Sequence, residues 1–326
     1  MSDSYLITGG TGSFGRAFLK KLISKNKKLR RVVIFSRDEL KQSELQSVYP
    51  KSKYPFLRFF LGDVRDFERL KSAMIDIDIV VHAAALKQVP STEYNPFEAV
   101  KTNILGAQNV INSCFENTVK KVIALSTDKA CAPVNLYGAT KLCSDKLFIS
   151  SQNIVGGKKT KFTVVRYGNV MSSRGSVIPK MIEDIKKYKT IFITDKNMTR
   201  FNITLEQSVN FVLNCILKSK GGEIFVPKIP SYRILSLAKA INNEAKIKYV
   251  GIRPGEKMHE EMISIGDSAN TVEFKNYFII LPTNHKNVFN TYDRSNLKFV
   301  KKGFQYSSDK NKYFLTSKKI SNLLKK

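Results

Sequence analysis

The segment Tyr5-Leu6-Ile7-Thr8-Gly9-Gly10-Thr11-Gly12-Ser13-Phe14-Gly15 decides the fold of this chain. Four residues typical of a buried strand run into a glycine-rich turn, and the turn opens a helix that we expect to reach about Ser24. Glycines at 9, 12 and 15 allow a tight turn, close approach of a pyrophosphate to backbone N–H groups, and close packing of helix on strand. A glycine triplet alone is weak, but one between a strand and a helix predicts a dinucleotide-binding loop. The predicted contacts come from Gly9, Thr11, Gly12, Ser13, Phe14 and Gly15.

Beyond this segment, strand-like and helix-like segments alternate along the chain. We predict further strands at residues 31–35, 59–61, 77–81, 122–125 and 162–166. Such alternation is typical of an α/β protein with a doubly wound parallel sheet of the Rossmann type. The rhythm breaks after residue 170, which predicts a smaller C-terminal substrate-binding region built from polar loops.

The composition narrows the class of partner. The chain has 326 residues and a net charge of +28, but its lysines are scattered and no nucleic-acid motif accompanies them. We therefore expect no nucleic-acid partner and some attraction for anionic substrates such as nucleotides. The four cysteines have no metal-ligand spacing, so no metal site is predicted. No signal peptide and no apolar run approaching the roughly 20 residues that span a bilayer are present, so we expect a reduced cytoplasmic protein without a membrane partner.

The second predicted strand ends in Ser36, Arg37 and Asp38, with Lys41 one helical turn beyond Arg37. A hydroxyl beside cationic side chains suits a ribose 2′-phosphate, which favours NADP over NAD. The alternative is that Arg37 starts a solvated helix and Asp38 takes the ribose of NAD.

Small and acidic residues follow the next two strands. Asp63, followed by Val64, is a candidate acceptor for the adenine amino group, with helix capping as the alternative. The small side chains of Ala83, Ala84 and Ala85 would let a flat cofactor lie against the backbone, unless they serve simple close packing. Lys87 lies beyond them and would touch either ligand or only water.

The strand at 122–125 leads into the predicted catalytic group. Thr127, Asp128 and Lys129 place a hydroxyl, a carboxylate and an amine just past the strand. Tyr137 and Lys141 follow at i and i+4, which puts both on one face of a helix. We expect the ammonium to lower the pKa of the phenol, so that Tyr137 removes an alcohol proton while a cofactor takes the hydride.

Asp128 and Lys129 suggest chemistry beyond hydride transfer. As an ion pair they would be a poor acid and no base, but exclusion of water would favour the neutral acid and amine. Further along, Arg253-Pro254-Gly255-Glu256 is a rigid turn whose arginine suits a diphosphate and whose glutamate suits ribose hydroxyls. At the end of the chain, Ser307-Ser308-Asp309 is predicted to cap a final short helix.

Taken together, these motifs resemble the extended short-chain dehydrogenase/reductase superfamily. Within it the chain is similar to the inverting UDP-N-acetylglucosamine 4,6-dehydratases, which open the pseudaminic-acid route to glycosylated flagellin. The resemblance covers almost the full length and rests on TGGTGSFG at 8–15, FSRDELKQSE at 35–44, LSTDKACAPVNLYGATKLCSDK at 125–146, RYGNV at 166–170, SRGSVIP at 173–179, GGEIFVPKIPS at 221–231 and GIRPGEKMHE at 251–260. Gln88 and Asn202 stand where these enzymes tend to have histidine and tryptophan. The resemblance therefore does not predict the detail of the sugar pocket.

The resemblance implies a lyase with tightly held NADP, acting on UDP-N-acetylglucosamine in surface polysaccharide synthesis, and a homo-oligomer. It implies a dinucleotide-binding domain at 1–170 to which later segments can return, a UDP-sugar-binding region at 171–283 and a tail with a short helix at 284–326. The catalytic residues would be Asp128, Lys129 and Tyr137, supported by Thr127 and Lys141. The implied substrate contacts are Lys87, Asn169, Val177, Pro179, Thr194, Arg200, Tyr232, Arg253 and Glu256.

Other functions remain open at this point. A retaining nucleotide-sugar 4,6-dehydratase or a 4-epimerase would use the same tyrosine and lysine. Simple hydride transfer needs neither Asp128 nor Lys129, which argues against the epimerase. A more distant alternative is a non-catalytic, basic nucleotide- or nucleic-acid-binding protein.

Overall fold

The computed structural model describes residues 3–25, 28–171, 177–282, 292 and 297–325. Its strands are β1 (Ser4–Thr8), β2 (Arg31–Ser36), β3 (Leu57–Leu61), β4 (Ile79–His82), β5 (Lys121–Thr127), β6 (Lys161–Tyr167), β7 (Asn169–Val170), β8 (Thr190–Ile193), β9 (Thr199–Ile203), β10 (Ile224–Pro227), β11 (Ser231–Arg233), β12 (Lys246–Tyr249), β13 (Glu261–Ile263), β14 (Thr271–Glu273), β15 (Tyr277–Ile280) and β16 (Tyr306–Ser307).

The α-helices alternate with these strands over the first half of the chain. They are α1 (Ser13–Lys25), α2 (Glu39–Val48), α3 (Phe67–Ala73), α4 (Val89–Tyr94), α5 (Pro96–Val100), α6 (Gly106–Glu116), α7 (Leu136–Ser150), α8 (Val177–Tyr188), α9 (Leu205–Lys218), α10 (Ile234–Ile241) and α11 (Ser317–Leu324). A π-helical turn, Lys101–Leu105, joins α5 to α6. No helix in the described ranges is long and apolar enough to span a membrane.

One large sheet organises the molecule, with its nine strands in the order β14-β15-β10-β6-β5-β4-β1-β2-β3. All neighbours from β3 to β10 run parallel, whereas β15 is antiparallel to both β10 and β14. The helices pack in two groups, α1 with α9 and α6 with both α3 and α7. This is the α/β doubly wound sheet predicted, and the strands predicted from sequence lie within two residues of the observed bounds.

The central strands are apolar at nearly every position because parallel strands are covered on both faces. The main core lies on both sides of the sheet, and its largest fully buried side chains include Phe18, Phe35, Phe148, Phe162 and Phe225. The order of the strands brings the carboxyl ends of β1, β4 and β5 together at one edge, where ligands bind in sheets of this kind.

A second, smaller core lies in the C-terminal half of the chain. It is formed by residues of α8, α10 and α11 together with β8, β11 and the turn before β9, including Met181, Ile191, Met198, Leu237 and Ile320. Two short sheets accompany it, β11-β9-β7 and β12-β8. Because β7 follows β6 after a single residue, this second core is joined directly to the carboxyl edge of the large sheet.

The prediction for the last helix cap was wrong. Ser307 lies in β16, which pairs with β13, and the Ser308 hydroxyl accepts a hydrogen bond from the Glu260 N–H at 2.9 Å. The final helix begins at Ser317, and its cap is Thr316, whose hydroxyl accepts from the Lys319 N–H. The serines that resembled a helix cap contact a distant segment of the chain, and such a contact cannot be read from the local sequence.

Candidate active site

The glycine loop packs closely against neighbouring backbone segments. Gly9 has a φ of 65°, and a Cβ there would lie 3.0 Å from the Ala84 backbone. A Cβ on Gly15 would strike the Gly10 backbone. The start of α1 can therefore pack tightly on the loop only because residue 15 has no side chain. The loop therefore lies where β1 and β4 end and leaves backbone N–H groups for an anion at the start of α1.

Residues at the end of β2 are already engaged by protein groups. Ser36 is buried, and its hydroxyl accepts from Gln42 Nε2 at 3.0 Å. Asp38 caps α2 and pairs with the Lys41 ammonium. The exposed Arg37 guanidinium lies 3.5 Å from the Asp63 carboxylate. Arg37 does not start the helix, and Asp38 is occupied as its cap.

Asp63 is an ion-pair residue, not a helix cap. Its carboxylate lies 2.7 Å from Arg65 and accepts from the Arg65 N–H, whereas Asp66 caps α3. Burial would raise the pKa of Asp63, but Arg65 and Arg37 hold it below its usual value. The Val64 carbonyl accepts from Asn109 Nδ2 on α6, which fixes this loop against the helix.

The segment after β4 is held by one buried amide. Asn103, on the π-helical turn, accepts from the Leu86 N–H at 2.8 Å and donates to the Leu86 carbonyl at 2.9 Å. It also donates to Thr140 on α7. Ala83, Ala84 and Ala85 are thereby held beside the glycine loop, and the exposed Lys87 follows them. His82 packs at the strand end, with Nδ1 2.8 Å from the Thr8 hydroxyl; burial lowers its pKa to about 3.

Strand β5 delivers the predicted hydroxyl, carboxylate and amine in one turn. Thr127 donates to Asp128 Oδ1 at 3.0 Å, and Lys129 Nζ lies 3.1 Å from the same oxygen. Asp128 is 0 % exposed, and its Oδ2 has no hydrogen-bond partner among the described residues. Burial raises the pKa of Asp128 against the pull of Lys129, with help from the charge of Glu260.

Helix α7 carries Tyr137 and Lys141 to the same place. Asn135 caps the helix by accepting from the Gly138 N–H, and a side chain at 138 would overlap the Lys129 carbonyl oxygen. The Tyr137 hydroxyl hydrogen-bonds Thr127. The expectation of a lowered tyrosine pKa was wrong: burial raises the pKa of Tyr137 to about 12, and the opposing charge is Lys129. Lys141 is itself buried, which lowers its own pKa.

Glu260 is the residue that the sequence reasoning missed. It is 2 % exposed, and its Oε1 lies 2.9 Å from Lys129 Nζ and 3.7 Å from Arg200 Nε. Burial would lower the pKa of Lys129, but Asp128 and Glu260 raise it above its usual value. Glu260 is the last residue of the segment at 251–260, and no spacing in the sequence connects it to position 129. The sequence feature that could have indicated Glu260 is its position in GIRPGEKMHE, four residues after Glu256.

Several predicted substrate residues surround this cluster. Asn169 accepts from Lys129 Nζ at 3.3 Å and hydrogen-bonds the buried Tyr232 hydroxyl. Arg200 is 3.4 Å from Glu256, and Thr194 donates to Glu256 at 3.2 Å. Lys129 therefore contacts Asn169 directly and reaches Arg200 and Glu256 through Glu260.

The remaining predicted residues lie on the second core. Val177 packs against that core at the start of α8, and Pro179 is exposed on the same turn. Arg253 is exposed and lines a surface cavity of about 600 Å³ together with Lys180, Tyr188, Phe192, Ile252 and Pro254. The serines and arginine of the segment at 172–176 lie outside the described residues.

The chain is similar to proteins of known family and structure. Residues 5–282 match a family described as "Polysaccharide biosynthesis protein". The sequence is 54 % identical to "UDP-N-acetylglucosamine 4,6-dehydratase (inverting)" of Campylobacter jejuni, and the match covers 98 % of this chain and 96 % of the relative. It is also 46 % identical, over 86 % of this chain and 83 % of the relative, to "UDP-glucose 4-epimerase" of Rickettsia bellii.

Solved structures show the same fold. The X-ray structure of Pen from Bacillus thuringiensis superposes with a TM-score of 0.88 at 38 % identity, covering 99 % of this chain and 97 % of that one. DesIV, a dTDP-glucose 4,6-dehydratase from Streptomyces venezuelae solved with NAD bound, gives a TM-score of 0.69 at 19 % identity over 78 % of this chain and 86 % of that one. The second match supports the fold alone.

Proposed function

Because this chain belongs to the polysaccharide biosynthesis protein family, we propose that it is an inverting UDP-N-acetylglucosamine 4,6-dehydratase. One observation carries the assignment beyond similarity. The buried Asp128 and the Lys129 amine are in contact with each other, and Thr127 links them to the Tyr137 hydroxyl. A hydride-transfer base thus adjoins an acid and an amine, the groups that loss of water requires.

The residues around the glycine loop fit a nicotinamide dinucleotide. A Cβ on Gly9 would reach the Ala84 backbone, so the loop and the end of β4 form a cradle open to a flat ligand and a pyrophosphate. Gly9, Gly12 and Gly15 would hold the pyrophosphate, with Ala83 to Ala85 beneath the nicotinamide ribose. When bound, this cofactor would supply the hydride chemistry of the reaction, removal of hydride from the sugar C4 and its return at C6.

For the cofactor itself we favour NADP, tightly held. The exposed Arg37 follows the end of β2 and Lys41 lies in the first turn of α2, so two cationic side chains are close in sequence to the position where a 2′-phosphate would bind. The competing argument is that Asp38 and Asp63 already pair with these cations. Arg37→Ala should weaken NADP binding by about fivefold and leave NAD binding unchanged, because one exposed charged contact contributes about 1 kcal/mol. Equal losses for both dinucleotides would favour NAD.

Tyr137 would accept the proton of the sugar 4-hydroxyl. With its pKa at about 12 in the protein alone, the phenol is protonated, so bound cationic groups must lower its pKa during the reaction. Lys129 already acts in that direction, and Lys141 would hold the nicotinamide ribose from the same helix. Hydride loss at C4 then leaves a ketone, which acidifies the hydrogen on C5.

Water loss would follow at the Asp128–Lys129 pair. Lys129 takes the proton from C5, and Asp128 protonates the departing 6-hydroxyl. The raised pKa of Asp128 suits this role, because a buried carboxyl that keeps its proton can donate it. C5 is finally protonated on the opposite face, which inverts its configuration. The overall reaction is that of a lyase with no net redox change.

The UDP moiety would be held on the side of the second core. Asn169 contacts Lys129 directly, Arg200 and Glu256 follow Glu260 in a second chain of contacts, and Arg253 lies on the same turn as Glu256. The exposed Arg253 guanidinium would pair with the diphosphate. We place the product in pseudaminic-acid synthesis for flagellin or another surface glycan, made by a cytoplasmic homo-oligomer.

The function is tested by incubating the purified protein with UDP-N-acetylglucosamine in deuterated water and following the product by NMR. We expect a UDP-4-keto-6-deoxy sugar with deuterium at C5 and inverted C5 configuration. Retained C5 configuration would indicate a retaining dehydratase.

The 46 % identity to a relative named UDP-glucose 4-epimerase gives the epimerase a specific observation in its favour. An epimerase would return UDP-N-acetylgalactosamine, or convert UDP-glucose to UDP-galactose, without loss of water. The presence of Asp128 and Lys129 argues against that outcome, because epimerisation leaves C5 and C6 unchanged.

A further inference from the structure

Glu260 gives the predicted catalytic pair a third member. Its Oε1 lies 2.9 Å from Lys129 Nζ, close to the 3.1 Å between Lys129 Nζ and Asp128 Oδ1. The Lys129 side chain is 23 % exposed, whereas both carboxylates are almost fully buried. Oε2 of Glu260 and Oδ2 of Asp128 have no hydrogen-bond partner within the ranges that the structure describes. Two buried carboxylates therefore compete for one ammonium.

Such a cluster cannot carry two full negative charges at low cost. Removing a carboxylate from water is expensive, and the Lys129 ammonium is shared between the two carboxylates. Arg200 Nε stands 3.7 Å from Glu260 Oε1. Glu260 is therefore the better compensated carboxylate: burial would raise its pKa, but Lys129 and Arg200 hold it below its usual value, whereas burial raises the pKa of Asp128.

We propose that Glu260 is a positioning residue for the dehydration: it holds Lys129 in place, keeps the proton of Asp128 available to the leaving hydroxyl, and accepts the proton that Lys129 must lose. This inference rests on the proposed function. Glu260 acts through Lys129 and need not touch the sugar.

The proton inventory of the step balances. Once the bound sugar has excluded water, which disfavours both charges, the Lys129 ammonium passes one proton across the 2.9 Å contact to Glu260 and leaves a neutral amine and a neutral carboxyl. The amine takes the C5 proton, and the electron pair of that C–H bond forms the C5–C6 double bond. The C6–O bond breaks with its electron pair on oxygen, and the Asp128 proton completes the water molecule. Among the described residues, the other carboxylate in contact with Lys129 is Asp128, whose own role is to donate.

The experiment is the pH dependence of kcat for Glu260→Gln, which keeps the side-chain shape and removes the charge. The charged and titratable groups around the cluster are Asp128, Lys129, Arg200, Lys257, Tyr137 and Lys87. Glu260 raises the pKa of both Asp128 and Lys129, so its removal lowers both. We expect the pH optimum to move to lower pH by about one unit or more and kcat to fall by about 10²-fold.

Three controls separate the possible results. Glu260→Asp keeps the charge and should restore the optimum in part; if Glu260→Gln does not fold, this variant must still show a smaller shift in the same direction. Glu223→Gln neutralises another fully buried glutamate, at the opposite end of β6, and should leave the optimum unchanged. Wild-type turnover of UDP-N-acetylglucosamine is measured first. No turnover would overturn the proposed function, whereas turnover with an optimum that no Glu260 variant moves would overturn this inference.

Discussion

Two clusters of buried charge lie near the carboxyl end of β5, and they are built differently. In one, Asp145 on α7 accepts from the Ser126 hydroxyl at 2.7 Å and lies 3.3 Å from Arg166 on β6. Arg166 also donates to the Met262 carbonyl at 3.1 Å. In the other, Asp128 and Glu260 share the single ammonium of Lys129.

The number of buried carboxylates per cation distinguishes the two clusters. Arg166 has a second carboxylate, Asp267, at 3.7 Å, but that side chain is 29 % exposed and remains hydrated. Arg166 Nε lacks a partner in the described part of the chain, yet the charges of this pair balance. At Lys129 both contacting carboxylates are buried, and burial raises the pKa of Asp128. We expect the Asp145–Arg166 pair to stabilise the fold. We expect the raised pKa of Asp128 to make a proton available for catalysis.

The largest effect is expected for Lys129→Met. Loss of the amine should lower kcat for water loss by about 10³-fold, since a positioned acid or base contributes about 10²–10⁴-fold. Nicotinamide binding should survive. Turnover is measured by product NMR and cofactor affinity by fluorescence titration.

The matched control for this variant is Lys121→Met, at the other end of β5, where the ammonium donates to the Ile216 carbonyl. It should keep near-normal turnover. If Lys129→Met turned over as well as Lys121→Met, Lys129 would not be the base.

A second contrast concerns stability. Asp145→Asn should lower the free energy of unfolding by about 3 kcal/mol or more, because breaking a buried pair leaves the charge of Arg166 poorly compensated. Asp128→Asn should leave stability unchanged or raise it near neutral pH. The pKa of Asp128 is raised in the folded protein, so its contribution to stability is full at low pH and is lost as pH rises through the folded pKa.

Urea unfolding of both variants at neutral pH measures this difference. A loss of similar size in Asp128→Asn would show that the two clusters are both structural, contrary to the distinction drawn between them.

The smallest loss of stability is expected for a substitution at Gly138, where α7 packs against the Lys129 backbone. Gly138→Ala would place a methyl group against the Lys129 carbonyl oxygen and should cost about 2 kcal/mol, as overpacked sites do. It should also lower kcat, because Tyr137 moves with the helix. Gly157→Ala is the control: a Cβ there meets nothing within 4 Å, so stability should be unchanged or slightly higher. Thermal unfolding compares the two, and equal melting temperatures would contradict the close packing at Gly138.

The sequence predicted the large sheet and part of the site because both depend on local patterns. Strands β1 to β6 are short apolar segments between helices, and Tyr137 and Lys141 share a helix face by their spacing alone. The resemblance to a known family supplied the roles of Asp128 and Lys129. These features need no knowledge of which distant segments meet.

What the sequence did not reveal depends on such meetings. Glu260 reaches Lys129 from a segment 131 residues further along the chain, and Asp145 reaches Arg166 from a neighbouring helix. The antiparallel hairpin β14–β15 extends the sheet with segments that carry no nucleotide motif. The raised pKa of Tyr137 also follows from burial, which is fixed only once the chain has folded.

The most direct test of the role of the Asp128–Lys129 pair is the absorbance of the reduced nicotinamide during a single turnover of Asp128→Asn with UDP-N-acetylglucosamine. If Asp128 acts after hydride has left C4, the absorbance should rise and stay raised, because water loss is blocked, whereas in the wild type it rises briefly and returns to baseline. A variant whose absorbance returns to baseline as 4-keto-6-deoxy product forms would contradict the assignment of Asp128 as the acid.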